Sequence, residues 1–142
     1  MPVIAYLPLN TLPNNQLTYA VIGARYRGQW VFCRHRERDT YEMPGGHREP
    51  GEDVNDTARR ELYEETGAVE FSIAPVCLYS VTDGGETGYG GLFYAEITVL
   101  GELPESEIAE IFLLSDMPKN LTYPQIQPHL WEHIRKSIGE DE

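Results

Sequence analysis

The sequence predicts a mixed α/β fold in which a sheet of mixed strand direction is covered by helices on both faces. Three observations lead there. Strand-like runs flank one strongly signalled helix that begins after Asp53, and a second amphipathic segment comes near the end of the chain. No repeat, low-complexity tract or linker divides the 142 residues, so the expectation is one domain over 1–142, long enough to bury a substantial core.

Each element has its own signal. Leu17 to Arg25 and Trp30 to Arg34 read as strands joined at Arg27-Gly28-Gln29, a hairpin pattern. The charged segment His35 to Thr40 then reads as a loop leading to a Pro44-Gly45-Gly46 turn. Asp53 suits an N-cap, Val54, Ala58 and Leu62 recur every fourth residue, and Gly67 stands where a C′ glycine belongs, so a helix is predicted between them. Val69 to Val81 is rich in β-formers, with Pro75 arguing for a bulge or a sheet edge. Asp83 to Gly91 holds five glycines in nine residues and is expected to be a mobile loop. Gly91 to Leu100 and Ile108 to Leu114 are further strands. Pro124 suits the start of a final helix whose apolar stripe is Ile126, Leu130, Ile134 and Ile138.

Composition narrows the partners. Net charge is −12, from 23 acids against 11 bases, which disfavours stable binding to nucleic-acid backbones. No basic leader, long apolar stretch or lipidation motif is present, so a cytoplasmic protein without a membrane partner is expected. Cys33 and Cys77 fall in apolar runs without metal-type spacing and read as reduced core thiols. His129 and His133 are four apart on the last helix, but no third ligand stands near them in sequence, which favours surface histidines over a zinc site.

The placement of acids on the first helix is harder to explain by stability. Glu61, Glu64 and Glu65 lie three and four apart on one face of its last turns. Like charges at that spacing repel by a few tenths of a kcal/mol, and the negative end of the helix dipole adds about as much again. A hard divalent cation reverses the balance, because it needs several carboxylate oxygens converging from one rigid surface.

The run Gly46 to Ala68, GHREPGEDVNDTARRELYEETGA, resembles the Nudix hydrolase signature G-x5-E-x7-R-E-U-x-E-E-x-G-U at every defined position, where U is aliphatic. Those positions are Gly46, Glu52, Arg60, Glu61, Leu62, Glu64, Glu65, Gly67 and Ala68. The prefix Tyr41-Glu42-Met43-Pro44-Gly45-Gly46 is similar to the family's aromatic-x-x-Pro-Gly-Gly lead-in. The resemblance implies a Nudix-type α/β/α sandwich with a central mixed sheet. It also implies hydrolysis of a nucleoside diphosphate linked to another moiety, by water attacking phosphorus with Mg2+ as cofactor and Mn2+ as the alternative ion. By the same resemblance, Glu64, Glu65 and the Gly46 carbonyl are metal ligands, and Glu61 is a further ligand or the base that orients water. Glu52 and Arg60 are expected to hold the loop onto the helix, a task suited to an Arg–carboxylate pair, with a direct metal contact from Glu52 as the alternative. Among Glu102, Glu105, Glu107 and Glu110, the family pattern favours Glu107 as the carboxylate that completes the site. His47 is placed to touch phosphate, with simple solvent exposure as the equal alternative.

Substrate choice rests on weaker signals, and these point to nucleoside triphosphates of the MutT type. The chain is near the minimal length, leaving no room for the extra N-terminal domain of many nucleotide-sugar enzymes. Thr82 to Glu86 lacks the proline that marks ADP-ribose enzymes. Met117-Pro118-Lys119-Asn120-Leu121 resembles the segment that presents an asparagine to a purine edge, so Asn120 is expected either to read a guanine-type base or to serve as a turn or capping residue. Met43 and His35 are expected to line the base pocket. The resulting expectation, closest to Gram-positive-type nucleoside triphosphate phosphohydrolases, is cleavage of a nucleotide such as 8-oxo-dGTP to the monophosphate and pyrophosphate by a monomer or homodimer. ADP-ribose, nucleotide sugars and dinucleoside polyphosphates are the alternative substrates. A nucleotide-binding regulator without turnover is the alternative role, but such proteins lose box carboxylates and this chain has them all. An isopentenyl diphosphate isomerase would need cysteine and glutamate motifs that are missing here.

Overall fold

The computed structural model describes residues 1–140. In chain order the strands and helices are β1 (Val3–Leu7), β2 (Tyr19–Tyr26), β3 (Gln29–His35), β4 (Gly45–His47), α1 (Val54–Thr66), β5 (Ala68–Asp83), β6 (Glu86–Leu100), β7 (Ile108–Leu114) and α2 (Gln127–Ser137), with a 3-10 turn at Asn14–Gln16. Seven strands form one sheet in the order β1-β5-β6-β2-β3-β7, and β4 pairs with β2 beside that path. Only β2 and β6 run parallel; the other pairs are antiparallel, so the sheet is mixed as predicted.

Alternation along the strands sorts side chains to the two faces. Ala20, Ile22 and Ala24 of β2, with Val31, Phe93, Ala95 and Ile97, meet Val54, Ala58 and Leu62 of α1 in one core. Trp30, Phe32, Leu92 and Tyr79 point the other way, onto Leu130, Trp131 and Ile134 of α2. α1 keeps its predicted ends: Asp53 accepts a hydrogen bond from the Asn55 amide, and Gly67 closes the helix in the left-handed region at φ 81°. The hairpin between β2 and β3 also stands, with Arg27 and Gly28 both at positive φ as a two-residue turn requires.

Four expectations change. The glycine-rich stretch Asp83 to Gly91 is not a loop: Gly84 and Gly85 make a two-residue turn, and β6 already begins at Glu86. Glycine is needed inside that strand for close packing, since a Cβ on Gly90 would lie 2.6 Å from the Tyr79 ring. The Pro44-Gly45-Gly46 turn is extended chain, and Gly45–His47 pairs with Tyr19–Val21 of β2. The last helix starts at Gln127, with Pro128 in its first turn, rather than at Pro124. β1 was not foreseen; five residues long, it pairs with Leu78–Thr82 of β5 and leaves Pro75 beyond its reach, at a register shift on the uncovered edge.

The site helix is held by its buried face. Leu62 is fully buried between α1 and the sheet, so Leu62→Ala removes packing that the surroundings cannot refill. The expected loss is about 2–5 kcal/mol in a urea unfolding curve, seen as a lower midpoint at unchanged slope.

Candidate active site

The loop before α1 is shaped by one carboxylate. Glu52 Oε1 accepts from the Glu49 amide (3.0 Å), the Thr57 hydroxyl (2.7 Å) and Arg60 Nη2 (3.0 Å), while Oε2 accepts from Arg60 Nε (2.8 Å). Arg60 holds the Glu52 carboxyl down at about 2, helped by the Glu49 amide and Thr57 against the cost of burial. The same guanidinium donates to the His47 carbonyl (3.1 Å), joining β4 to α1. Its remaining nitrogen, Nη1, reaches Glu61 Oε2 at 3.1 Å and Glu64 Oε1 at 3.4 Å.

Next to this fork the helix and the glycine strand come into contact. Gly46 has no side chain because the Glu61 carboxylate occupies that space; a Cβ there would overlap it. Glu65 reaches further in, and its Oε1 accepts from the Gly45 amide at 3.1 Å. Burial pushes the Glu61 carboxyl up to about 7, with Arg60 opposing and Glu64 adding to the rise. Burial also raises Glu65 to about 8, against the Gly45 hydrogen bond, and the charges of Glu61, Glu42 and Glu107 reinforce the shift. Two buried carboxyls that resist ionisation on one surface are a demand for nearby positive charge.

His35, at the end of β3, stands in the middle of these acids. Its Nε2 lies 3.2 Å from Glu42 Oε2 and 3.9 Å from Glu65 Oε2, and its Nδ1 lies 3.8 Å from Glu107 Oε1. Glu107 is otherwise exposed, whereas Glu110 is drawn off by Arg34 at 3.1 Å.

These groups border a cleft of about 890 Å³. Glu61, Glu64, Glu65 and Gly46 line it on the α1 side, and Tyr79, Val81, Met43, Ile126 and Leu130 give it an apolar wall toward α2. Arg60, His35, His47, Glu105 and Glu107 lie along it as well, so Glu61, Glu64, Glu65, Glu105, Glu107, His35, His47 and Met43 share one cavity, while Glu52, Glu102 and Glu110 are not on its wall. Asn120 does not join them. Its Nδ2 donates to the Asp39 carbonyl at 2.9 Å and its own carbonyl accepts from the Tyr41 amide, which ties it into an exposed turn outside the cleft wall. Sequence reasoning missed Glu42 and Gln127, which are buried on the wall at 8% and 6% exposure. Glu42 had a signal in the prefix beside Pro44, but Gln127 had none, being one polar residue at the start of an amphipathic run.

The donor set fits a hard divalent cation. It consists of carboxylate oxygens from one helix face plus the backbone of a glycine against which one of them packs. Among the described residues, no three such side chains close around a single point as they stand, and Arg60 pairs with both Glu61 and Glu64. His129 and His133 belong elsewhere: the His133 ring stacks on Tyr6 at 3.7 Å, and the His129 carbonyl accepts from the Tyr6 hydroxyl. Both cysteines are free and buried, and burial raises the Cys33 thiol far above its usual range. No helix among the described residues is long and apolar enough to cross a membrane.

Comparison with known proteins agrees with this geometry. The family model described as NUDIX domain matches residues 16–131. The YtkD protein of Bacillus subtilis (strain 168), provisionally assigned as an 8-oxo-dGTP diphosphatase, is 32% identical over 99 residues, 69% of this chain and 62% of that protein. The chain thus matches under two thirds of that relative's length. The fold superposes on the pyrophosphohydrolase BsRppH of B. subtilis, in its E68A mutant, with a TM-score of 0.78 and 23% identity, covering 98% of this chain and 93% of that one. An ADP-ribose pyrophosphatase from Streptococcus suis gives a TM-score of 0.67 at 13% identity, over 87% and 92% of the two chains.

Two measurements follow from the electrostatics. Arg60→Ala strips Glu52 of its bidentate partner and is expected to lower stability by about 1–3 kcal/mol as well as activity; an unchanged melting temperature with collapsed turnover would place Arg60 in the chemistry instead. The second concerns the metal-free protein. Glu61 and Glu65 hold protons in the folded state up to about 7 and 8 but lose them near 4.3 when unfolded, so the folded state binds more protons between those limits. Stability is therefore expected to fall as pH rises from 5 to 8 in EDTA, and magnesium should reduce that fall. The Glu52 contribution is complete above its unfolded value and does not alter the slope in this window.

Proposed function

The chain belongs to the Nudix family, and on that premise we propose that it is a magnesium-dependent hydrolase that cleaves nucleoside triphosphates to the monophosphate and pyrophosphate. The observation that carries this reading is the two-ended cleft, with buried carboxylates at the α1 end and an apolar wall at the α2 end. A nucleotide has the same polarity, with a phosphate chain at one end and a flat base at the other. The similarity to the B. subtilis diphosphatase supports a triphosphate, including an oxidised purine such as 8-oxo-dGTP. The likeness to the ADP-ribose pyrophosphatase is one of fold and does not carry its substrate across.

Glu61, Glu64, Glu65 and the Gly46 carbonyl would hold the ion, with Glu107 as the candidate that completes the set from the opposite side of the cleft. Bound there, magnesium would supply the positive charge that offsets the phosphates and would acidify water. The chain's own residues do the positioning. Arg60 fixes the orientation of the Glu61 and Glu64 side chains and anchors α1 to β4. Glu61 is either a further ligand of that ion or the base that takes a proton from the attacking water as the phosphorus–oxygen bond to the leaving group breaks. His35, His47 and Arg60 are basic groups lining the same cleft and would face the phosphates.

The deciding assay is product release across dNTPs, 8-oxo-dGTP, ADP-ribose and dinucleoside polyphosphates. Magnesium-dependent pyrophosphate from a triphosphate is the expected result; turnover of ADP-ribose alone, or release of orthophosphate, would overturn the triphosphate reading. Glu64→Gln and Glu65→Gln should each cut turnover by orders of magnitude while the protein stays folded. Near-wild-type rates from both at saturating magnesium would remove them from the metal site.

A further inference from the structure

The carboxylate that faces α1 across the cleft has little of its own to hold it. The Glu107 side chain is 89% exposed, and its basic neighbour is His35 Nδ1 at 3.8 Å. Its charge is nonetheless felt at Glu65, on the far wall. A free carboxylate on a flexible side chain takes its direction from the backbone that carries it. Ser106, Glu107 and Ile108 all line the cleft, so whatever fixes this stretch of backbone also aims Glu107.

One residue does most of that fixing. Arg36, the first residue after β3, donates its amide to the Glu107 carbonyl (2.8 Å) and its Nε to the Ser106 carbonyl (2.9 Å). Those carbonyls belong to the peptide planes on either side of the Glu107 Cα. Holding both planes restricts φ and ψ of Glu107, and the Cα–Cβ direction follows. The ladder has already changed register here: Arg34 faces Glu110 but His35 faces Ile108, so Ala109 is an extra residue on β7. Such a bulge bends its strand and re-aims the side chains beyond it. Arg34 steadies the arrangement, with Nη2 on Glu110 (3.1 Å) and Nη1 on the Arg38 carbonyl (3.0 Å), which closes the loop that carries Arg36. At its other end, the segment between β6 and β7 rests on the cap of α1. The Gly101 amide donates to the Gly67 carbonyl (2.8 Å), and Gly67 has no Cβ to meet the Glu102 carbonyl. The chain between these anchors is neither helix nor strand, so Glu107 takes its direction from the Arg36 end.

We propose that Arg36 is a positioning residue, which orients the Glu107 carboxylate toward the α1 acids by fixing the two peptide groups that flank it. Arg36 is exposed and is not on the cleft wall, so it acts through Glu107 and touches neither ion nor substrate. This rests on the reading of Glu107 as the carboxylate that completes the ion site. Charge and position predict opposite signs. A guanidinium near the site repels a divalent cation, so on charge alone its removal tightens binding. If Arg36 acts by position, its removal weakens binding.

The probe is Mn2+ binding to the nucleotide-free protein, read from the EPR signal of the free ion. Arg36→Ala is expected to weaken Mn2+ binding about tenfold, the usual scale for a residue that orients a metal ligand. Its melting temperature should stay within about 2 °C of the wild type. Arg36→Gln places an amide nitrogen where Arg36 has Nε, so it keeps the donor and drops the charge; it should bind Mn2+ as tightly as the wild type or better. Glu107→Gln should weaken binding by at least as much as Arg36→Ala, and adding Arg36→Ala to it should change nothing further. Unchanged or tighter binding in Arg36→Ala overturns the proposal, as does equal weakening in Arg36→Gln or an unchanged affinity in Glu107→Gln. If no triphosphate is hydrolysed but the Mn2+ affinities follow this pattern, the substrate reading fails and the role of Arg36 stands.

Discussion

Much of the site depends on the forked ion pair between Arg60 and Glu52. Glu52 Oε1 accepts from the Glu49 amide, the Thr57 hydroxyl and Arg60, and Oε2 accepts from Arg60 as well, so four hydrogen bonds to one carboxylate hold the loop in one shape. Arg60 also reaches the His47 carbonyl, so the same side chain fixes the separation between α1 and the glycine strand. That separation lets Gly46 press on Glu61 and the Gly45 amide reach Glu65. Exposed ion pairs contribute little to stability, but this one is mostly shielded and bidentate, and its larger effect is on geometry.

The remaining strain falls on the acids. α1 carries no basic residue in its last turn, where a helix built for stability alone would have one. Instead, two carboxyls are buried with their protons partly retained. The helix is kept in place from behind, by Val54, Ala58 and Leu62 against the sheet. Packing on one face thus supports electrostatic frustration on the other, as the cation site proposed above would require.

The helix, its caps and the acidic cluster were legible in the sequence because their signals are local: an N-cap, a four-residue period and a C-terminal glycine each act within a few residues. Most strands were legible for the same reason, and β7 runs over the predicted Ile108–Leu114. What was not legible depends on partners distant in the chain. The glycines of Asp83 to Gly91 suggest freedom when read alone, but Tyr79 and Phe93 require small neighbours at Gly90 and Gly91. Gln127 finds its hydrogen-bond partner in the Met43 amide, 84 positions away in sequence. Asn120 takes the turn role that its local motif left open beside base reading, and the choice between the two is made by the Asp39 carbonyl on another segment.

The parallel pairing of β2 with β6 bears on how the molecule assembles. Tyr19 lies opposite Gly90 and Tyr26 opposite Ile97, so this seam joins segments about seventy positions apart and carries a loop-closure cost that local elements do not. The β5–β6 hairpin, turning on Gly84-Gly85, and the capped helix α1 can each form from neighbouring residues. β4, by contrast, can pair only once β2 is in place. On a ribosome, the central seam must wait until residue 97 has emerged, whereas β2, β4 and α1 have all emerged before it. The glycine strand that faces the α1 carboxylates thus pairs over a short span, whereas the sheet that carries it is closed by the pairings of β2 with β6, β1 with β5 and β3 with β7, whose partners are far apart in sequence and carry the larger closure cost.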